Sequence, residues 1–139
     1  MKKEFNKEEY NKMCAEFLGW ELKSYPSYMD TPFSGQRLWF SPTSSDGKTR
    51  TFSARVGEEY FDSDWNWIME VVDTIPQKVQ GINVSIHPNS CLITDTGVRG
   101  QYSLNASKNI VKVLDVSTRK EAVIQALWEF LNWYNEQQQ

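Results

Sequence analysis

Residues 82–95 read Ile82-Asn83-Val84-Ser85-Ile86-His87-Pro88-Asn89-Ser90-Cys91-Leu92-Ile93-Thr94-Asp95. Apolar and polar side chains alternate from Ile82 to His87, the period of a strand with one dry face. Pro88-Asn89 is a turn dipeptide, and beyond it Cys91 and Ile93 resume the dry face. As a two-residue turn it sets His87 opposite Ser90 and Ile86 opposite Cys91. Asp95-Thr96-Gly97 reads as a second turn. Val98, Gly100, Tyr102 and Leu104 then alternate with Arg99, Gln101, Ser103 and Asn105, and a polar turn over 105–109 leads to Ile110-Val111-Lys112-Val113-Leu114. The segment 82–114 is therefore expected to form antiparallel strands in meander order.

Downstream the period changes. Thr118-Arg119-Lys120-Glu121 is a capping box, and a helix is predicted over about 118–136. Its polar stripe is Glu121, Gln125, Glu129 and Asn132, and the remaining positions as far as Tyr134 are apolar. That apolar arc spans roughly 200°, where a surface helix needs little more than ~100°. Upstream, Ser63 can cap a helix over about 64–75 in which Trp65, Trp67, Ile68, Met69, Val71, Val72 and Ile75 again cover a wide arc. Pro76 should end or bend it. A third helix, about 7–18, is expected from Asn6 as N-cap, a stripe of Tyr10, Met13, Cys14, Phe17 and Leu18, and Gly19 as the stop. Between these helices, Arg37-Leu38-Trp39-Phe40 and Thr49-Arg50-Thr51-Phe52 flank Asp46-Gly47, a hairpin dipeptide. The expected architecture is α+β: an antiparallel sheet packed with three helices, in one domain over 1–139.

With 139 residues the chain has the size of one domain. Rings make up 14% of it, so either the core is ring-rich or rings are displayed to a partner. The net charge is −3 and Lys and Arg are scattered, so the basic footprint of a nucleic-acid binder is missing. Cys14 and Cys91 lie far apart among apolar neighbours and read as buried thiols, without a disulfide framework. Residues 1–7 carry no apolar signal region. No run approaches the ~18 apolar residues of a membrane span. A cytoplasmic location and no membrane partner are expected.

Few chemistries fit. His87 is the single histidine, so zinc sites needing two or more are excluded. Phosphate-cradling glycine motifs are absent from the sequence. A Cys91–His87 dyad is opposed by strand parity, which points the histidine to water and the cysteine inward. Asp95-Thr96-Gly97 matches the tripeptide of aspartic proteases, but that chemistry needs two carboxylates sharing a proton, hence two copies of this chain. Val98 also stands where those enzymes place Ser or Ala, and the tripeptide is an ordinary turn. Glu58, Glu59, Asp62 and Asp64 offset a helix dipole or, alternatively, hold a divalent cation. No catalytic residue, cofactor site or metal site is assigned. The candidates for a contact surface are Trp39, Tyr60, Phe61, Trp65, Trp67 and Trp128, although the interior is the commoner place for rings.

Three blocks resemble a family of short, uncharacterised proteins encoded by bacteriophages and prophages. They are Phe17-Leu18-Gly19-Trp20; Asp64-Trp65-Asn66-Trp67-Ile68-Met69 with Val71-Val72; and Glu121-Ala122-Val123 with Glu129-Phe130-Leu131-Asn132-Trp133-Tyr134-Asn135. Asn66 stands where the family places an acidic residue between the rings, and Ile68 replaces Leu. The resemblance implies a mobile-element origin and a bacterial cytoplasmic location, and carries no activity, ligand or catalytic residue. The expected function is that of a non-enzymatic accessory protein binding a host protein or a small ligand. The alternatives are a homo-oligomeric assembly component and a hydrolase using carboxylates.

Overall fold

Asn6 opens the first helix: its side-chain oxygen accepts the Glu9 N–H at 3.0 Å, satisfying one of the donors a helix start leaves free. The helix, α1, runs Lys7–Phe17. It ends as a Schellman motif, with Gly19 N–H donating to the Glu16 carbonyl and Trp20 N–H to that of Ala15, both at 3.0 Å. Gly19 sits at φ 84°, a conformation that suits glycine. In this computed structural model the described residues are 4–28, 35–41, 52–95 and 108–138.

The remaining elements follow in chain order as β1 (Glu21–Ser24), β2 (Arg37–Phe40), β3 (Phe52–Arg55), α2 (Trp65–Lys78), β4 (Ile82–His87), β5 (Ser90–Asp95), β6 (Lys108–Val113) and α3 (Arg119–Gln137). The architecture is α+β, and its described strands divide between two antiparallel three-stranded sheets, β1-β2-β3 and β4-β5-β6. The division follows the chain, since α2 separates the two sets of strands. The expected hairpin turn at Asp46-Gly47 lies outside the described residues, as do 96–107, but β2 and β3 do pair antiparallel.

The 82–95 hairpin forms in the expected register, with His87 opposite Ser90 and Ile86 opposite Cys91. Cys91 and Ile93 are fully buried, together with Val111 and Val113 of β6, while His87 is exposed. The wide apolar arc of α3 is used on several sides: it contacts β4, β5, β6, α1 and α2. Ala122, Val123, Ala126, Leu127, Trp128, Phe130 and Leu131 are all buried there. Thr118 caps it by accepting the Glu121 N–H at 3.1 Å.

Two details of α2 differ from expectation. Its N-cap is Asp64 rather than Ser63, because Ser63 and Asp64 N–H both turn back to the Tyr60 carbonyl while the Asp64 carboxylate accepts the Asn66 N–H at 2.8 Å. A carboxylate there also complements the helix dipole. The helix does not stop at Pro76 but continues to Lys78. Pro76 is exposed and lies in the last turn, so its missing N–H removes one ladder bond, and Val79 N–H still reaches the Ile75 carbonyl at 2.9 Å. Lys78 then donates to the Phe17 carbonyl at the end of α1, with its ammonium 4.9 Å from the Phe17 ring centre. One cation thus joins two helix C-termini, where positive charge is favoured.

Candidate binding cleft

The register of the first sheet sets Leu22, Trp39 and Ala54 side by side on one face. Arg37, two residues before Trp39, shares that face, and Val56 N–H bonds to its carbonyl at 3.0 Å. The N-terminal half of α1 lies across from this face. Between them is a cleft of about 660 Å³, lined by Leu22, Arg37, Trp39 and Val56 from the sheet side, by Lys7 and Asn11 among others from α1, and by Gly57 and Glu59.

Glu59 is 8% exposed, so its carboxylate is a buried charge. It is held by neutral donors: Trp39 Nε1–H donates to Oε2 at 3.0 Å and Gly57 N–H to Oε1 at 2.6 Å. Gly57 adopts φ 95°, the left-handed region where glycine turns without strain, and this aims its N–H back at the carboxylate. Buried charges are normally paired or strongly hydrogen-bonded. Glu59 has the hydrogen bonds but no cation partner among the described residues, because Arg55 pairs with Glu58 at 3.7 Å.

Asn11 forms the opposite part of the lining and is 4% exposed. Its Nδ2–H donates to Asp62 Oδ1 at 3.5 Å, and Asp62 Oδ2 also faces the Lys7 ammonium at 3.5 Å. Its Oδ1 is sealed from solvent and accepts from no donor among the described residues. A buried acceptor left unmade costs about 1–3 kcal/mol, so it is an exception that calls for a reason. The Tyr10 hydroxyl, next along α1, donates to the Phe61 carbonyl at 3.0 Å. Three contacts in one helical turn therefore fix α1 to the 57–62 segment that carries Glu59.

The chain matches no family model, no curated protein and no solved structure. The chemistry of the cleft is accordingly read from its own side chains.

Of the six rings singled out as a contact surface, Trp39, Phe61 and Trp128 are buried, Trp65 and Trp67 are partly buried, and Tyr60 is 52% exposed. They do not form one displayed patch. Phe61 sits among Trp20 and Trp67, ring centres 5.2 and 4.9 Å away, and Tyr60 stands edge-on to Trp67 at 5.4 Å. Trp65 joins Met69, Ile86 and Arg119 around a separate hollow of about 440 Å³. Only Trp39 of the six lines the cleft, from its floor.

The four acidic residues near α2 are likewise dispersed in role: Glu58 pairs with Arg55, Glu59 holds Trp39 and Gly57, Asp62 faces Lys7, and Asp64 caps α2. Among the described residues no group of three or more metal-ligating side chains gathers. Asp95 closes β5, and the rest of the Asp95-Thr96-Gly97 tripeptide lies outside the described residues. Asn11 carried no motif. Its one signal was position, a polar residue at the edge of the Tyr10–Cys14–Phe17 stripe and four residues from Lys7.

Both cysteines are buried and unpaired with each other. Burial pushes the Cys91 thiol up to about 11, and it raises Cys14 and the Tyr10 phenol as well, with Cys14 adding to the effect on Tyr10. Neither thiol is expected to react with a disulfide reagent at mildly alkaline pH until the protein is unfolded in guanidinium. The raised Cys91 value means that the unfolded chain releases its proton first. Stability should thus be fully present below pH 9 and fall as pH rises from about 9 to about 11. Denaturant unfolding across that window checks it: Cys91→Ala should make the fall shallower, with the remainder belonging to Cys14 and Tyr10, and an unchanged curve would contradict the assignment.

Proposed function

We propose that the protein is a non-enzymatic binding module whose ligand is a small molecule seated between α1 and the first sheet. The observation that carries this reading is the Asn11 amide oxygen, sealed in the cleft wall with no donor. A buried acceptor without a donor beside a concave site is an exception that a donor on a bound molecule would resolve. The volume, about 660 Å³, falls in the usual range for small-molecule sites. Three apolar side chains, Leu22, Trp39 and Val56, stand in its lining among a majority of polar and charged ones, a composition that suits a polar ligand. The described lining supplies no hydroxyl, thiol or imidazole, which favours binding over nucleophilic chemistry. The likeness of the three sequence blocks to phage and prophage proteins adds a mobile-element origin and a bacterial cytoplasmic setting to the proposal. No described helix is long and apolar enough to cross a membrane.

The test is a nitrogen–proton NMR screen of small polar and amphipathic molecules. Binding in the cleft should move the Trp39 indole N–H together with the Gly57 and Glu59 amides, saturably. Hits that move only residues around Trp65, Met69 and Ile86, or no hits at all, would overturn the reading.

A further inference from the structure

We infer that the cleft selects a small organic cation carrying N–H donors, a primary ammonium or a guanidinium, which bridges Asn11 Oδ1 and the Glu59 carboxylate. The inference rests on the cleft being the binding site and adds the class of ligand.

It follows from counting donors and acceptors on the cleft lining. Trp39 has a single side-chain N–H, and it is committed to Glu59 Oε2. Gly57 N–H is committed to Glu59 Oε1. The Asn11 amide group points its nitrogen to Asp62. The buried donors are therefore spent on partners within the protein. Acceptors remain. Asn11 Oδ1 has none of its lone pairs used, and each Glu59 oxygen accepts one N–H among the described residues where a carboxylate oxygen can take two. A ligand that offers donors satisfies these groups, and one that offers acceptors leaves them unmade.

Cationic and anionic side chains are equal in number around the cleft, and it is the burial of one of them that points the same way. Glu59 is a buried carboxylate with no counter-cation among the described residues. The cations that line the cleft, Lys7, Lys12 and Arg37, are all exposed, and Lys7 faces Asp62 at 3.5 Å while Lys12 faces Glu16 at 3.8 Å. Exposed charges act through water and are screened, whereas a buried carboxylate acts through a low dielectric and dominates the field felt by a seated ligand. Asn11 Oδ1 is sealed from solvent, so contact with the cation requires the Asn11 amide to turn away from Asp62.

The experiment titrates the isotope-labelled chain with agmatine and cadaverine as cations, glutarate as anion and acetamide as neutral amide, following the Trp39 indole N–H. The expected result is saturable binding of the cations alone, weakened at least tenfold by Glu59→Gln and by Asn11→Leu. Asn11→Leu removes the orphan acceptor together with the Nδ2–H bond to Asp62, two opposing effects, and a cooperative melt close to that of the parent separates lost binding from lost fold. Should Glu59→Gln fail to fold, Asn11→Leu alone decides. Blocked Gly-Arg-Gly and Gly-Lys-Gly peptides distinguish the source: a response to the peptides equal to that of the free amines assigns the same chemistry to a peptide side chain. Cations that bind without regard to Glu59 and Asn11 overturn the inference. Glutarate or acetamide moving the cleft resonances while the cations do not would overturn the ligand class and leave the site standing. Silence from every probe at the cleft overturns both.

Discussion

Replacing Trp128 by Ala is expected to cost about 3–5 kcal/mol, the range for deleting a large buried ring. For a domain stable by roughly 5–15 kcal/mol, this leaves a fold that melts well below the parent. Trp128 is 1% exposed, on the helix that touches all three strands of the second sheet and both other helices. Its neighbours cannot close the space cheaply. Phe5 lies at 5.3 Å from it in an edge-on arrangement and packs on Tyr10 at 5.4 Å. Urea unfolding followed by far-ultraviolet dichroism measures the loss. Trp128→Phe, which keeps most of the ring volume, should recover more than half of it. A loss under about 1 kcal/mol for the Ala variant would mean the ring sits at a yielding surface, as the sequence pattern allowed.

That alternative was open in the sequence for a physical reason. An apolar arc of about 200° on α3 says that the helix needs partners on more than one side, but not whether they belong to the same chain. The fold answers it through long-range packing, which periodicity does not encode. Other features were legible because they are local. The caps Asn6 and Thr118, the Gly19 stop and the Pro88-Asn89 turn each depend on one to four neighbouring residues. Strand parity then fixed the opposite fates of His87 and Cys91. The N-cap of α2 was less legible, since Ser63 and Asp64 are both good caps and only the turn at Tyr60 decides between them. The cleft was the least legible part. Trp39 and Glu59 were both noted, one as a ring and one as an acid, yet their bond joins residues 20 apart. Asn11 becomes notable only when its burial and its missing donor are known.

Phe61→Ala should cost a similar ~3–5 kcal/mol, but with a second effect that separates it from Trp128→Ala. Phe61 is fully buried between Trp20 and Trp67, and its carbonyl receives the Tyr10 hydroxyl. It lies two residues beyond Glu59, in the short segment that brings the carboxylate to Trp39. Emptying the Phe61 site frees that segment to open locally, whereas emptying the Trp128 site weakens the protein as a whole. Local opening has its own signature in hydrogen exchange, because an amide can exchange without global unfolding. The Trp39 indole N–H and the Gly57 N–H, both bonded to Glu59, should therefore exchange faster in Phe61→Ala than its global stability predicts. In Trp128→Ala the same two protons should follow global stability. Equal behaviour in the two variants would mean that the Glu59 grip does not depend on the Trp20–Phe61–Trp67 cluster. The rings behind the cleft would then be core alone, with no part in holding its polar floor.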